Sequence, residues 1–418
     1  MKREGRMRAV YILAVSNVVF TLGYGIYGYI FPNFLATVNA NPPQIGLVAT
    51  LLSASMALTL LPGGVLSDAG HRRTLVIASW LLPVFAPFFF ILAELSNSWL
   101  YALPGVALFG SSWIGVAAVQ SYTSEAAPAG KRGLSFGILV SSGSIGLIAS
   151  PLIGGLVYDA YGFTTIFFIA FILYLASTAI VLAIPRLPGD LSTKVDASAR
   201  GADDLSSESN VDTLRTGGSW GDSGKERGPS EGSSVLRRLA PMVALSCLFM
   251  GVVYLGWSYI PLYLSEEYGF SFFSVQVMYA VSNLSAVVIV SLLGKLSDKY
   301  APARKLALVT VPIVSLVLGY WILVPNSNSL ILPVSFVLLG SVGAVFPLIY
   351  STIGELSAGR RVGRTYGVIG TFVYAAEATT PYLGGTLYAY SRQLPFMLTL
   401  ALSPLLFVAV YVAYRKTR

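Results

Sequence analysis

The sequence contains little charge. Only 11% of its 418 residues are charged, 55% are hydrophobic, and the mean hydropathy is +0.71. A soluble globular domain carries about 25% charged residues, because its surface must face water. This shortage of charge excludes a soluble domain and leaves a polytopic membrane protein.

Other absences exclude particular kinds of chemistry. One histidine and one cysteine, Cys247, cannot build a histidine or multi-thiolate metal centre or a disulfide framework. No G-x4-G-K-[ST] sequence is present, so ATP is not the energy source within this chain. An integral-membrane enzyme would need intramembrane histidine or paired carboxylates, which are missing. We therefore expect no enzyme activity, no metal and no cofactor.

Long apolar runs fill most of the chain. A membrane-spanning helix needs about 20 mostly apolar residues. Runs of this kind lie at 9–31, 43–67, 74–94, 99–124, 134–158, 162–185, 239–264, 272–297, 304–325, 328–353, 363–389 and 393–414. The predicted fold class is an all-α polytopic membrane protein with twelve transmembrane helices in two pseudo-symmetric six-helix bundles.

Residues 186–238 have a different composition, rich in Ser, Gly and Asp, with Trp220 as the single aromatic residue. Such a stretch cannot bury enough apolar surface to offset its ordering entropy, which predicts a flexible linker. It is either an inert tether or a regulatory docking segment. It divides the chain into an N-terminal bundle (1–185) and a C-terminal bundle (239–418).

The basic residues lie on one side of the predicted spans. All 27 of them except Arg392 fall at the chain termini or in connections that follow an even-numbered span. Cytoplasmic loops carry such an excess of Lys and Arg. The net charge of +8 is thus a topology signal and not a nucleic-acid patch, and both termini are expected in the cytoplasm, in a plasma membrane protein.

The two halves repeat at an offset of 230 residues. Gly64-Val-Leu-Ser-Asp68 ends the second span, and Gly294-Lys-Leu-Ser-Asp298 ends the eighth. The same offset relates Glu125 to Glu355, Gly137 to Gly367, Pro151 to Pro381, and Gly154-Gly155 to Gly384-Gly385. Duplicated six-helix bundles are typical of alternating-access transporters, whose substrate binds near the membrane midplane.

These residues resemble the major facilitator superfamily over nearly the whole chain. The family's cytoplasmic signature is a Gly, an Asp four residues later, then a Gly and paired basic residues. By this resemblance the following residues would form cytoplasmic gates: Gly64, Asp68, Arg72, Arg73, Glu125, Arg132, Gly294, Asp298, Arg304, Lys305 and Glu355. The alternative is that these are ordinary interfacial charges that only fix topology.

The fifth span carries a further motif of the family. Gly137, Gly146, Pro151, Gly154 and Gly155 follow the spacing that is typical of its proton-coupled exporters, with a weaker copy in the eleventh span at Gly367, Pro381, Gly384 and Gly385. Small residues at this spacing let helices approach closely. The motif favours export, or else marks a tight packing face of the kind found in many membrane proteins.

One acidic residue of the 19, Glu377, lies in the middle of a predicted span. A carboxylate there is costly unless it is paired, wetted or protonated, so it is a functional candidate by default. It could carry a proton, act as counter-ion for a cationic substrate, or be a neutral side chain satisfied by Thr379 or Thr380. No Lys, Arg or His lies mid-span, which disfavours strongly anionic substrates.

The resemblance places the central cavity between the first, fourth, seventh and tenth spans and their neighbours. Candidate lining residues are Asn17, Tyr24, Tyr27, Trp113, Gln120, Tyr254, Trp257, Asn283, Tyr350 and Tyr374. Aromatic side chains with a few amides suit neutral, amphipathic or cationic aromatic ligands. Each of them could instead be a packing or lipid-facing residue.

The sequence thus predicts a monomeric secondary transporter in the lipid bilayer that works by alternating access. We expect proton-coupled export of hydrophobic or cationic small molecules. The alternative is uptake or facilitated transport of a neutral solute such as a sugar or nucleoside, which amide groups clustered on the cavity faces would favour.

Overall fold

The computed structural model of the protein describes residues 3–128, 132–187, 230–299, 302–324, 329–346, 348–349 and 362–415, and the regular elements in these ranges are helices. The α-helices are α1 (Arg3–Gly25), α2 (Phe31–Thr37), α3 (Pro42–Asp68), α4 (Arg72–Leu81), α5 (Ala86–Leu95), α6 (Leu103–Ser111), α7 (Val116–Ala126), α8 (Arg132–Leu182), α9 (Ser230–Trp257), α10 (Ile260–Glu267), α11 (Phe272–Lys299), α12 (Pro302–Leu323), α13 (Leu332–Gly340), α14 (Val362–Ala378), α15 (Thr380–Tyr390) and α16 (Leu394–Arg415).

Eight helical stretches of the described chain are long and apolar enough to cross a membrane. They are Met7–Thr37, Pro42–Asp68, Arg72–Leu95, Trp99–Ala126, Leu134–Leu182, Ala240–Glu267, Phe272–Leu296 and Leu394–Arg415. Two shorter apolar helices cover Ala307–Leu323 and Leu332–Ala344. The prediction of a multi-pass, all-helical membrane protein is confirmed.

Local sequence signals set where the helices begin and break. The Asn41 side chain accepts a hydrogen bond from the Gln44 backbone amide, and the Gln44 side chain accepts one from the Asn41 backbone amide, so α3 begins with a capping box. Gly162 has φ of 77°, in the left-handed region that favours glycine, and breaks α8 within its 51 residues. This break lies where the sequence predicts the turn between the fifth and sixth spans.

Two packing seams join residues 3–187, the N-terminal part, to residues 230–415, the C-terminal part. Helix α3 packs against α14 and α15, and α8 packs against α11. Within the parts, α1 packs on α8 and α9 packs on α16. The seams place one face of each part opposite the other, and the space between these faces is where a ligand site can form.

The 230-residue repeat is visible in the packing of its paired glycines. A Cβ at Gly154 would collide with the Ile26 carbonyl, and one at Gly384 would collide with the Leu255 carbonyl, each within its own part. The following glycines face across the seams instead: Gly155 lies against Phe273, and Gly385 lies against the Pro42 carbonyl. In both copies of the repeat, the first glycine of the pair thus packs within its own part and the second packs across the seam.

Candidate functional site

A cavity of about 290 Å³ lies between the N-terminal and C-terminal parts. Eleven of its lining side chains are aromatic: Tyr24, Tyr27, Tyr29, Phe31, Phe90, Phe109, Trp113, Tyr254, Trp257, Tyr279 and Tyr374. Its polar side chains other than tyrosine are Ser53, Ser258 and Glu377. The described lining includes no Lys, Arg, His, Asp, Asn or Gln, so it suits an apolar or cationic ligand better than an anion.

Aromatic pairs fix the shape of this cavity. Within the N-terminal part, Tyr24 stacks on Phe109 with 5.2 Å between ring centroids. Tyr29 of the N-terminal part stacks on Tyr279 of the C-terminal part, with 4.6 Å between ring centroids. Trp113 meets Tyr374 edge to face at 5.1 Å, also across the parts. Aromatic faces attract cations through their quadrupole, so the walls offer both apolar contact and cation–π attraction.

Glu377 supplies the carboxyl group of the cavity wall. Its side chain is only 3% exposed. The Ser53 hydroxyl of α3 donates a hydrogen bond of 2.6 Å to Glu377 Oε1, and Oε2 has no hydrogen-bond partner among the described residues. Thr379 and Thr380 donate to backbone carbonyls, so the carboxyl group is bound from across the seam and not by its sequence neighbours.

Most of the predicted lining residues meet at this cavity. Glu377, Tyr24, Tyr27, Trp113, Tyr254, Trp257 and Tyr374 all line it. The Tyr27 hydroxyl lies 3.0 Å from that of Tyr174 and is therefore occupied by this pair. Tyr350 lies outside the described residues.

The three predicted amides are absent from the lining. Asn17 donates to the Leu139 carbonyl and to Ser142, so it holds α1 against α8. Gln120 is exposed. Asn283 accepts from the Tyr29 hydroxyl and donates to the Leu147 carbonyl at 2.8 Å, which ties the two parts together beside the cavity.

Comparison with known proteins identifies the family to which this chain belongs. The model of the Major Facilitator Superfamily matches residues 13–342, which is more than half of the chain. The chain belongs to the major facilitator superfamily. It is therefore a membrane transporter and not an enzyme.

The individual relatives within this superfamily have low sequence identity to this chain. An uncharacterized transporter from Buchnera aphidicola subsp. Baizongia pistaciae is 30% identical over 156 residues, and the match spans 37% of this chain and 38% of the relative. The nucleoside transporter NupG has 11% identity and a TM-score of 0.68, covering 98% of this chain and 99% of that one. The human organic anion transporter MFSD10 has 16% identity and a TM-score of 0.64, covering 97% and 99%. Such identities show the shared fold alone.

One end of this superfamily member, here named the distal end, contains the turns around residues 39, 97, 162, 269 and 392. Side-chain amides close the two parts against each other there. Asn33 donates to the Pro261 carbonyl and to Ser265 at 2.8 Å, and Gln276 donates to the Ile26 carbonyl at 2.9 Å. The Oδ1 of Asn33 and the Oε1 of Gln276 have no partner in the described chain. These hydrogen bonds join the two parts at the distal end.

We expect Gln276→Leu to shift the conformational balance towards opening at the distal end. A lost intramolecular hydrogen bond contributes about 0.5–1.5 kcal/mol, which is a shift of roughly two- to tenfold. Since Cys247 is the single cysteine, Cys247→Ser gives a background in which Ser258→Cys reports access to the cavity. Labelling of Ser258→Cys from the distal face by an impermeant maleimide should rise.

Asn17→Leu is the matched control for Gln276→Leu. It also removes an amide donor between packed helices, but both acceptors belong to the same part of the chain. Its labelling should stay at the parental value. Equal labelling of Gln276→Leu and the parent would show that this amide does not hold the distal end closed.

The opposite end, here named the terminal end, contains the predicted gate residues that the structure describes. Arg72 pairs with Glu125, and Arg73 donates to the carbonyls of Leu182 and Ile184 at 3.1 and 3.0 Å. These partners all belong to the N-terminal part, where they fasten α4 to α7 and to the end of α8. Asp68 is the last residue of α3.

The other predicted gate residues are described less fully. Gly64 packs close to Gly367 across the seam of α3 and α14, with 3.6 Å from the Gly64 Cα to a Cβ at Gly367, whereas a Cβ at Gly294 would meet no described residue within 4 Å. Only the backbone is described for Arg132, Asp298, Arg304 and Lys305, and Glu355 lies outside the described residues. The gate across the two parts stays a prediction.

Sequence analysis did not identify seven of the aromatic and polar lining residues, which are Tyr29, Phe31, Ser53, Phe90, Phe109, Ser258 and Tyr279. Ser53 is one of several hydroxyls in α3, and no spacing singles it out. Tyr29 follows Tyr24 and Tyr27 in a tyrosine-rich run, which was a usable signal for it. Tyr279 lines the cavity and stacks on Tyr29 of the other part, a long-range contact that no local sequence pattern predicts.

Proposed function

We propose that this chain is a proton-coupled exporter of hydrophobic or cationic small molecules. The observation that carries the proposal is the Glu377 carboxyl group in the wall of an aromatic cavity that both parts of the chain build. A buried carboxyl group is stable when it is protonated or paired with a cation, and costly when it is ionised and alone. Proton and cationic substrate therefore compete for one group, which couples their movements in opposite directions.

The exporter direction draws its support from the glycine motif of α8. Gly146 packs against Thr21 and Val18 of α1, and Gly154 packs against Ile26, so the motif brings α1 and α8 into close backbone contact. Tyr24 of α1 lines the cavity. Because Gly155 faces the C-terminal part, a rearrangement of α8 is transmitted across the seam with α11.

Uptake of a neutral sugar or nucleoside is the second candidate. Polyhydroxylated solutes are held by convergent amide, carboxylate and hydroxyl groups. The serine and tyrosine hydroxyls of the wall support this candidate, but the described lining lacks the Asn and Gln side chains that would favour it. The aromatic cavity with one carboxyl group supports a cation better.

The topology that we propose has twelve spans, in bundles 1–185 and 239–418 joined by the linker 186–238. Its supports are the eight long helical stretches, the break at Gly162 and the matching tasks of the two glycine pairs. The basic residues support cytoplasmic termini in a plasma membrane. Arg392, the exception, is paired with Glu266 and Glu267 at the distal end. We further propose that the monomer is functional.

The test is transport by the full chain in proteoliposomes. A panel of cationic dyes and sugars is offered under an imposed pH gradient, with protein-free vesicles as control. Dyes should accumulate in the compartment of lower pH in exchange for protons, and sugars should not. Accumulation of sugars alone would establish the second candidate, and no response to the pH gradient for any solute would exclude proton coupling.

If the predicted gate at the terminal end exists, breaking it should shift the conformational balance in the direction opposite to that expected for Gln276→Leu. If the charge of Asp68 helps to close the terminal end, Asp68→Asn should lower labelling of Ser258→Cys from the distal face and raise it from the terminal face. A lost hydrogen bond to a charged group is worth about 1.5–3 kcal/mol, a tenfold change or more. Asp159→Asn at the distal end is the control, and an unaltered balance in Asp68→Asn would exclude the gate.

A further inference from the structure

The Glu377 carboxyl group has no ionised neighbour in the described lining. Helix α3 presents Ser53 to it, and the span that contains α7 presents Trp113. The remaining titratable groups near it are phenols: Tyr24 from α1, Tyr254 from α9 and Tyr374 from its own helix. The carboxyl group is therefore the one group of this lining that can change charge near neutral pH.

The two oxygens of this carboxyl group differ. Oε1 accepts the hydrogen bond from the Ser53 hydroxyl, and Oε2 is buried with no partner among the described residues. A buried acceptor that lacks a donor costs about 1–3 kcal/mol, and more when it is charged. An ionised Glu377 thus lacks both a donor at Oε2 and a counter-charge, which a cationic N–H group supplies together, whereas a protonated Glu377 has no charge to compensate.

We propose that Glu377 takes either one proton or one N–H-bearing monocation, so that each cycle exchanges one proton for one positive charge without net charge movement. The inference rests on the proposed proton-coupled transport and names its ligand class and stoichiometry. When the cation leaves, its N–H···O bond is broken and an O–H bond forms at the carboxyl group. The cation keeps its own proton, and the charge of the site is unchanged.

The size of the cavity further restricts which ligands can bind. At about 290 Å³ it lies at the lower limit of ligand pockets, which span roughly 300–1,000 Å³. The stacked pairs Tyr24–Phe109 and Tyr29–Tyr279 leave flat aromatic walls. A ligand with one aromatic ring and one cationic group with N–H donors matches these walls and Oε2 together.

Benzylguanidinium and benzyltrimethylammonium are the probes that distinguish the hydrogen bond to Oε2 from the cation–π attraction of the aromatic walls. Both are monocations with one ring and can make cation–π contacts. Guanidinium keeps its charge at any working pH and offers N–H donors, whereas the quaternary ammonium has none. Because neither crosses the bilayer as a neutral base, the pH gradient moves them only through the protein.

The experiment measures uptake of each probe into proteoliposomes of the full chain under a fixed pH gradient. Valinomycin and potassium set the membrane potential to zero or to negative inside. Benzylguanidinium should enter at the same initial rate at both potentials. Benzyltrimethylammonium should show an affinity lower by about tenfold or more, the value of a lost hydrogen bond to a charged group.

Each contrary result has a separate meaning. A rate that rises with a negative-inside potential would overturn the one-for-one exchange, and equal affinities for the two probes would overturn the role of Oε2. Both results leave the proposed function standing. If benzylguanidinium is not transported while dyes of the panel are, the ligand class is wrong. If no solute responds to the pH gradient, the proposed function itself fails.

Ser53 acts in this scheme as a positioning residue. Its hydroxyl stabilises the ionised carboxylate, so Ser53→Ala should raise the pH of half-maximal benzylguanidinium binding by about one unit. Ser53→Thr keeps the hydroxyl and should restore the parental pH profile. A Ser53→Ala profile that is lower in amplitude but unmoved in pH would indicate a purely structural role.

Discussion

Glu377→Gln should abolish accumulation of cationic solutes under a pH gradient, down to the level of protein-free vesicles. Glutamine has nearly the shape of glutamate and can still accept the Ser53 hydrogen bond, but it cannot release or take up a proton. It also carries no charge to pair with a cation. The measurement is initial uptake of a cationic dye at several external pH values, with the internal pH held constant.

Glu94→Gln is the matched control. Glu94 also accepts one hydroxyl hydrogen bond, from Thr164 at 2.7 Å, but it lies at the distal end and not at the cavity. The same chemical change there should leave the pH dependence intact. Transport by Glu377→Gln with a parental pH dependence would show that the proton is carried elsewhere.

Gly154→Ala should destabilise the folded protein by about 1–3 kcal/mol, the range found for overpacked cores. The added methyl group would meet the carbonyl, carbonyl carbon and Cα of Ile26, and these are backbone atoms that no rotamer change can move aside. The α1 and α8 backbones must separate to admit it. The change is measured as a lower midpoint of thermal unfolding in detergent.

Gly137→Ala is the control within the same motif. A Cβ at Gly137 would meet no described residue within 4 Å, so the substitution is expected to add only the higher helix propensity of alanine, up to about 1 kcal/mol. Its unfolding midpoint should stay or rise. Equal losses in the two variants would mean that the motif acts through something other than close packing.

Glu377 could be predicted from the sequence, but its hydrogen-bond partner could not. Among the 19 acidic residues of the chain, Glu377 is conspicuous because none of the others lies in the middle of a predicted span. Its partner Ser53 is 324 residues away. Nothing in the sequence ranks this hydroxyl above the others of α3, since only the seam between α3 and α14 brings it to the carboxyl group.

Asn17 and Asn283 illustrate the opposite case. A buried amide is predicted equally well to face a cavity or to join two helices, because both satisfy its hydrogen bonds. The structure uses both residues to join helices, Asn17 within the N-terminal part and Asn283 across the two parts. Of the eleven aromatic lining residues, six were predicted from the sequence, and Tyr29 was missed although it follows Tyr24 and Tyr27 in the same run.

The sequence by itself determined the membrane class, the helical spans and the 230-residue repeat. These follow from composition and from local spacing, because the bilayer demands apolar runs of fixed length and a duplicated bundle repeats its small residues. Only the tertiary structure decided which side chains share the cavity, which oxygen of Glu377 has a partner, and which amides close the distal end. Such contacts join residues that are hundreds of positions apart, and their distances depend on how the helices pack and not on any local pattern.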